Sequence, residues 1–88
     1  MVLAIQLDNR DNVAVVMDTL YKGDMADIGG IQLRAVTDIP RYHKIALSDI
    51  KEGEVVCKYG QPIGYATKRI CKGEHVHIQN LDAQKMMQ

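Results

Sequence analysis

Three histidines carry most of the chemistry open to this sequence: His43, and the pair His75 and His77 in the stretch Gly73-Glu74-His75-Val76-His77-Ile78-Gln79-Asn80. Histidine has an unperturbed pKa of about 6.5, so near neutral pH it can serve as acid, base or metal ligand. His75 and His77 are two positions apart, and strand side chains alternate, so on a strand the two rings share a face. Neutral imidazoles so placed can meet one ion at Zn–N-type distances of ~2 Å. Two ligands make an incomplete site; the others would come from a partner or a substrate. The competing reading is a solvated pair on the wet face of a half-buried strand. Lys44 follows His43 and on a regular strand points to the opposite face, which makes it a surface or partner contact rather than a co-worker of His43.

The elements that must position these rings read as short strands. Asn12 to Met17 is a β-branched run, and Ile31 to Val36 alternates apolar and polar. His43 to Leu47, Glu54 to Lys58, Pro62 to Thr67 and His75 to Ile78 complete the set. Tyr59-Gly60-Gln61-Pro62 has the composition of a hairpin turn, with Pro62 at a strand's first residue or edge, because it cannot donate to a ladder. Residues 23–30, GDMADIGG, suit a turn or a single helical turn. The tail from Asp82 to Gln88 suits a short helix or a frayed end.

An internal echo links the turns. Leu20-Tyr21-Lys22-Gly23-Asp24, Ile50-Lys51-Glu52-Gly53-Glu54 and Ile70-Cys71-Lys72-Gly73-Glu74 each read aliphatic, two residues, Gly, acid. Glycine suits a tight turn that needs positive φ. The aliphatic residue plugs the core and the acid starts the next strand. Ile39-Pro40-Arg41-Tyr42-His43 is an imperfect fourth copy, with Tyr42 in the Gly place and His43 in the place of the acid. Either turn residues vary freely there, or His43 replaces the acid because it has a task.

Composition narrows the function classes. The chain has 88 residues, enough for one domain, 1–88. A domain of this size buries roughly 60–65% of its unfolded surface. With four tyrosines, no Phe and no Trp, the core must be aliphatic. A thin core of this kind predicts a homo-oligomer when isolated, or a subunit of something larger. Eleven basic and eleven acidic residues balance, with no basic stripe for nucleic acid or an anionic membrane. No apolar run approaches the ~20 residues of a membrane span. The opening MVLAIQLDNRDN lacks the layout of a signal peptide. Cys57 and Cys71 have no C-x-x-C spacing; Cys57 reads as a core or half-buried thiol and Cys71 as a turn residue, neither with a base beside it to make it a nucleophile. The expectation is a reduced, cytoplasmic protein.

The run HKIALSDIKEGEVVCKYGQPIGYATKRICKGEHVH, with DNVAVVM upstream from Asp11 to Met17, resembles the amino-terminal domain of the altronate dehydratase and galactarate dehydratase family. DNVA, HKIAL, a DI-x-x-GE turn, KYGQPIG and GEHVH occur in the family's order, over about residues 9 to 81. Two positions depart from its pattern. Tyr42 stands where the family has Gly, and Gln79 stands where altronate-type sequences carry a third histidine.

The resemblance implies a mainly β fold, a compact SAF-type β-clip domain of short strands and tight Gly turns. It implies the small subunit of a two-component hydroxy-acid lyase, a dehydratase-like enzyme inactive alone, whose active site is shared with a large catalytic subunit. The reaction would be β-elimination from a sugar acid, a carbon–oxygen hydro-lyase step. That step needs a base for the proton beside a carboxylate and an electrophile for the charge that builds on its oxygens. A divalent metal, Fe2+ or Mn2+/Mg2+, supplied mostly by the partner subunit, suits the second task.

On this reading His43 is catalytic, and His75, His77 and Tyr59 touch substrate or metal, with His75 and His77 as an incomplete ligand pair. Tyr59 would donate a phenol hydrogen bond, against the alternative of simple packing. Gly60 and Gly64 are turn or backbone positions near the site. Asp11, Asn12 and Lys44 are further contributors, with a turn-capping role through their own backbone favoured for Asp11 and Asn12. The alternatives are a sulfolactate sulfo-lyase α subunit, whose leaving group is sulfite, and a non-catalytic β-clip docking module.

Overall fold

Val13-Ala14-Val15-Val16 is apolar at every position because the strand it forms is buried on both faces. The computed structural model describes residues 1–83. Among these there is no helix, and nine short strands follow in order: β1 Val2–Ile5, β2 Val13–Val16, β3 Met25–Ile28, β4 Ile31–Arg34, β5 Lys44–Ala46, β6 Val55–Lys58, β7 Gln61–Ala66, β8 His75–Val76 and β9 Leu81–Asp82. A six-stranded sheet runs β4-β3-β1-β2-β5-β8, and a three-stranded sheet runs β6-β7-β9. β1 and β3 are parallel and the other pairs antiparallel. β2 lies between β1 and β5 and feeds two apolar clusters. Ala14 and Val16 join Leu20, Leu33, Ile39 and Ile45, while Val13 joins Ile50, Val56, Ile70 and Val76. The mainly β expectation holds. No helix among the described residues is long and apolar enough to cross a membrane.

The turn echo is a structural repeat. Its aliphatic residues pair off as isolated bridges, Leu20 with Ile39 and Ile50 with Ile70, all four almost wholly buried. In every copy the fifth residue's N–H donates to the second residue's carbonyl: Asp24 to Tyr21, His43 to Pro40, Glu54 to Lys51 and Glu74 to Cys71, at 2.8–3.0 Å. The fourth residue has positive φ each time: 93° at Gly23, 86° at Gly53, 87° at Gly73 and 67° at Tyr42. Tyr42 therefore adopts the glycine conformation at a steric cost. Gly73 is constrained further, since a Cβ there would run into the carbonyl oxygen of Arg34.

In three copies the acid turns back to accept the second residue's N–H: Asp24 from Tyr21, Glu54 from Lys51 and Glu74 from Cys71, at 2.9–3.1 Å. In the remaining copy the second residue is Pro40, which has no N–H to satisfy. A carboxylate would have no partner there, so the position is free for His43.

Several elements differ from expectation. Met25–Ile28 is a strand rather than a turn or helical turn; it ends at Gly29-Gly30, both at positive φ, in the two-residue hairpin that joins it to β4. β1 was not expected, because four apolar residues ahead of Gln6-Leu7-Asp8 show no period. The hairpin turn is the two residues Tyr59-Gly60, at φ 57° and 76°, and not the four from Tyr59 to Pro62. Pro62 is the second residue of β7, a central strand, tolerated because the register with β6 slips between Val56 and Cys57 and β9 reaches only Tyr65 and Ala66. β8 stops at Val76 instead of Ile78. Asp82 lies in β9, and the remainder of the tail, 84–88, lies outside the described residues.

Candidate functional site

The β5–β8 pairing brings the histidines together. Lys44 pairs with Val76 and Ile45 with His75, antiparallel. Extending that register by one residue sets His43 opposite His77. The ring centroids of His43 and His77 are 4.3 Å apart, those of His43 and His75 5.0 Å, and those of His75 and His77 5.8 Å. Each ring offers a nitrogen, and these three atoms lie within 4.8 Å of one another. His43 Nδ1 is 2.8 Å from His75 Nε2, so one ring donates to the other. All three residues are half-buried.

The backbone beneath is held by residues the sequence did not mark as functional. Thr37 Oγ1 accepts the His75 N–H at 3.0 Å. Asn80, fully buried, accepts the His77 N–H on Oδ1 at 3.0 Å and donates from Nδ2 to the His75 carbonyl at 2.9 Å. These bonds end the β8 ladder after Val76 and curl His77 back beside His75, so the rings share a side without a longer strand. Gln79 Nε2 donates to the same His75 carbonyl at 3.2 Å and lies 3.3 Å from His75 Nδ1. A buried asparagine close after a His-x-His is the only sequence signal for this support.

Electrostatics favour the neutral form of His75 and His77. Burial pushes the His75 pKa below its ordinary value, and repulsion from His43, His77 and Lys44 adds to that. His77 is lowered too, by burial and then by His43 and Lys44. Lys44 lies on the opposite face, as strand alternation requires, half-buried, with its own pKa lowered by burial and by Lys58. Neutral imidazoles keep the lone pairs that metal binding or proton abstraction needs.

The other sequence candidates belong to the smaller sheet. Asp11 and Asn12 reach across the chain, beyond their own turn. Asp11 Oδ1 accepts the Gly60 N–H at 2.8 Å and its Oδ2 the Asp8 N–H at 3.3 Å; Asn12 accepts from Cys57 N at 2.8 Å and donates to Val55 O at 3.0 Å. They clamp the β6–β7 hairpin to β2. Tyr59 caps that hairpin, exposed, with Lys58 Nζ 5.2 Å from its ring centroid. Gly60 lies under the Asp8–Arg10 ion pair, and Gly64 under the Asp82 carbonyl, so each is close to the chain itself. None of these bonds runs to a histidine. A cleft of about 400 Å³ over Gln6, Asp11, Ile31, Leu33, Leu47 and Lys72 likewise excludes the three rings. The convergent chemistry sits on an open sheet edge.

A small β domain with a three-histidine cluster at the β5–β8 edge of its main sheet is thus the class defined by fold and site. The chain belongs to the altronate/galactarate dehydratase SAF domain family, whose sequence profile matches residues 2–84 and so includes β1. It is 41% identical over 76 residues to altronate dehydratase of Bacillus subtilis, covering 86% of this chain and 15% of that enzyme. It is 34% identical over 73 residues to galactarate dehydratase (L-threo-forming) of Escherichia coli, covering 82% of this chain and 14% of that enzyme. It is 40% identical over 55 residues to (2R)-sulfolactate sulfo-lyase subunit alpha of Paracoccus pantotrophus, covering 62% of this chain and 82% of that subunit. The chain thus spans about one seventh of the dehydratases it matches and most of the sulfo-lyase subunit.

Proposed function

We propose that this chain is the small component of a hydroxy-acid lyase and presents His43, His75 and His77 to an active site completed by a large component. The convergence of three imidazoles on one open edge carries this reading. The exposed apolar residues flanking the rings, Tyr42 beside His43 and Ile78 beside His77, suit a surface that a partner covers. The residues fit a divalent ion that accepts imidazole, Fe2+ or Mn2+ rather than the oxygen-seeking Mg2+, with His75 and His77 as two ligands and the rest from the large component and substrate. When bound, such an ion would polarise the substrate carboxylate and hydroxyl as a Lewis acid.

His43 is the proton-transfer group. The bond between its Nδ1 and His75 fixes where the ring sits, and release of that bond frees Nδ1 for the proton. In β-elimination it takes the proton from the carbon beside the carboxylate, or returns one to the departing hydroxide. Tyr59, Asp11 and Asn12 act on the β6–β7 hairpin in this account, and Lys44 acts through its charge.

A second reading follows from the long match to the sulfo-lyase subunit, of which 82% is covered. There the same site would release sulfite in place of water. Co-expression with a large component of the family, followed by assays for water loss from altronate and galactarate and sulfite loss from (2R)-sulfolactate, tests both. Turnover of one substrate, dependent on this chain, is expected. A complex that turns over equally well without this chain would leave it a docking module.

A further inference from the structure

The amide of Gln79 meets His75 at two points, the main-chain oxygen at 3.2 Å and ring Nδ1 at 3.3 Å, through the same nitrogen. A carbonyl oxygen only accepts, so the group that faces it must be the NH2. The same NH2 faces Nδ1, which must therefore accept. A neutral imidazole carries one proton, so that proton is on Nε2 and is donated to His43 Nδ1 2.8 Å away. The hydrogen bonds run one way, from Gln79 to His75 to His43. In this arrangement His75 Nε2 has no free lone pair, and His43 Nδ1 is already occupied as an acceptor.

We propose that Gln79 is a positioning residue that holds His75 in the Nε2–H tautomer and so keeps the cluster in a closed, hydrogen-bonded form until its amide swings away. Turned over in place, the amide would set its Oε1 against the His75 carbonyl, which only accepts. Swinging away from His75 instead withdraws the NH2 from Nδ1. One proton then leaves Nε2 to solvent and one arrives at Nδ1, with no change in net charge. Nε2 is left free to bind an ion, and His43 Nδ1 loses its donor and becomes available as a base. Ligand capture and base competence are gained in one step. Gln79 is exposed, so no packing opposes its departure. The consequence for ion binding rests on the ligand reading above; the tautomer assignment does not.

Long-range 1H–15N NMR of the imidazoles, on the full chain at pH 8 without metal, reads the tautomer directly. The wild type is expected to show His75 mainly as Nε2–H. Gln79→Glu, which can only accept, should move it to Nδ1–H, and Gln79→Leu should leave a mixture. Zn2+ titration by calorimetry should then show Gln79→Glu binding about tenfold or more tighter than wild type, the scale of a ligand's hydrogen-bond partner. Ile78→Glu adds the same charge one residue away and should leave the tautomer unchanged. An Nδ1–H wild type, or a tautomer indifferent to residue 79, would overturn the proposal. A tautomer that moves as expected while no variant takes up Zn2+ supports the positioning role and overturns the ligand reading instead.

Discussion

His43 Nδ1 and His75 Nε2 are 2.8 Å apart although 32 residues separate them in the chain. The contact exists because β5 and β8 pair antiparallel with Ile45 opposite His75. It places one proton between two rings that both lie against His77, and the pH behaviour of the domain follows from that crowding.

Burial and mutual repulsion lower the pKa of His75 and of His77 in the folded chain. The unfolded chain, with ordinary values near 6.5, therefore binds protons at higher pH than the folded one. The resulting stability is fully present above about pH 6.5 and is lost as pH falls through the lowered folded values. Denaturant midpoints should drop between pH 7.5 and pH 5.5, a window in which ordinary carboxylates stay ionised. The drop should shrink in the double variant His75→Gln, His77→Gln. An equal drop in wild type and variant would assign it to other groups.

Pro40 explains why a histidine can stand at position 43. Pro40→Ala restores an N–H with no carboxylate to receive it and loosens the unfolded chain, which together should cost about 1 kcal/mol. Adding His43→Glu to that variant should recover stability, since the other copies use Glu or Asp for this bond. Thermal unfolding of the three proteins checks it; a double variant no more stable than Pro40→Ala would contradict the role given to the acid.

Asn80 joins the His75 carbonyl to the His77 N–H inside the protein. Asn80→Ala leaves the His77 N–H without its partner and the His75 carbonyl with Gln79 alone, and should cost about 1–3 kcal/mol. It should also broaden the His77 ring signals in NMR more than those of His43. Retained stability with sharp His77 signals would show that the turn holds itself.

Much of the fold was legible because its turns repeat. The aliphatic-x-x-Gly-acid pattern marked the turns that lead into β3, β6 and β8, and the β-branched run marked β2. β1 was hidden because its neighbours across the sheet, not its own period, make it a strand. Met25–Ile28 was hidden by the Gly and Asp residues around it, which suit a turn equally well. The candidate site was half legible. Residue type picked out the three histidines, and spacing gave the shared side of His75 and His77, but whether His43 joins them depends on a pairing 32 residues away. Thr37, Gln79 and Asn80 could not be read as support, because their partners are backbone groups and a ring nitrogen whose positions only the folded chain defines.

The central claim is that His43 takes part in chemistry at a site shared with a large component. The kcat of the reconstituted complex with wild-type and His43→Ala chains tests it most directly. The account predicts a fall of about 10²-fold or more, the usual contribution of a positioned acid or base, with the complex still assembling. An assembled His43→Ala complex with unchanged kcat would contradict it.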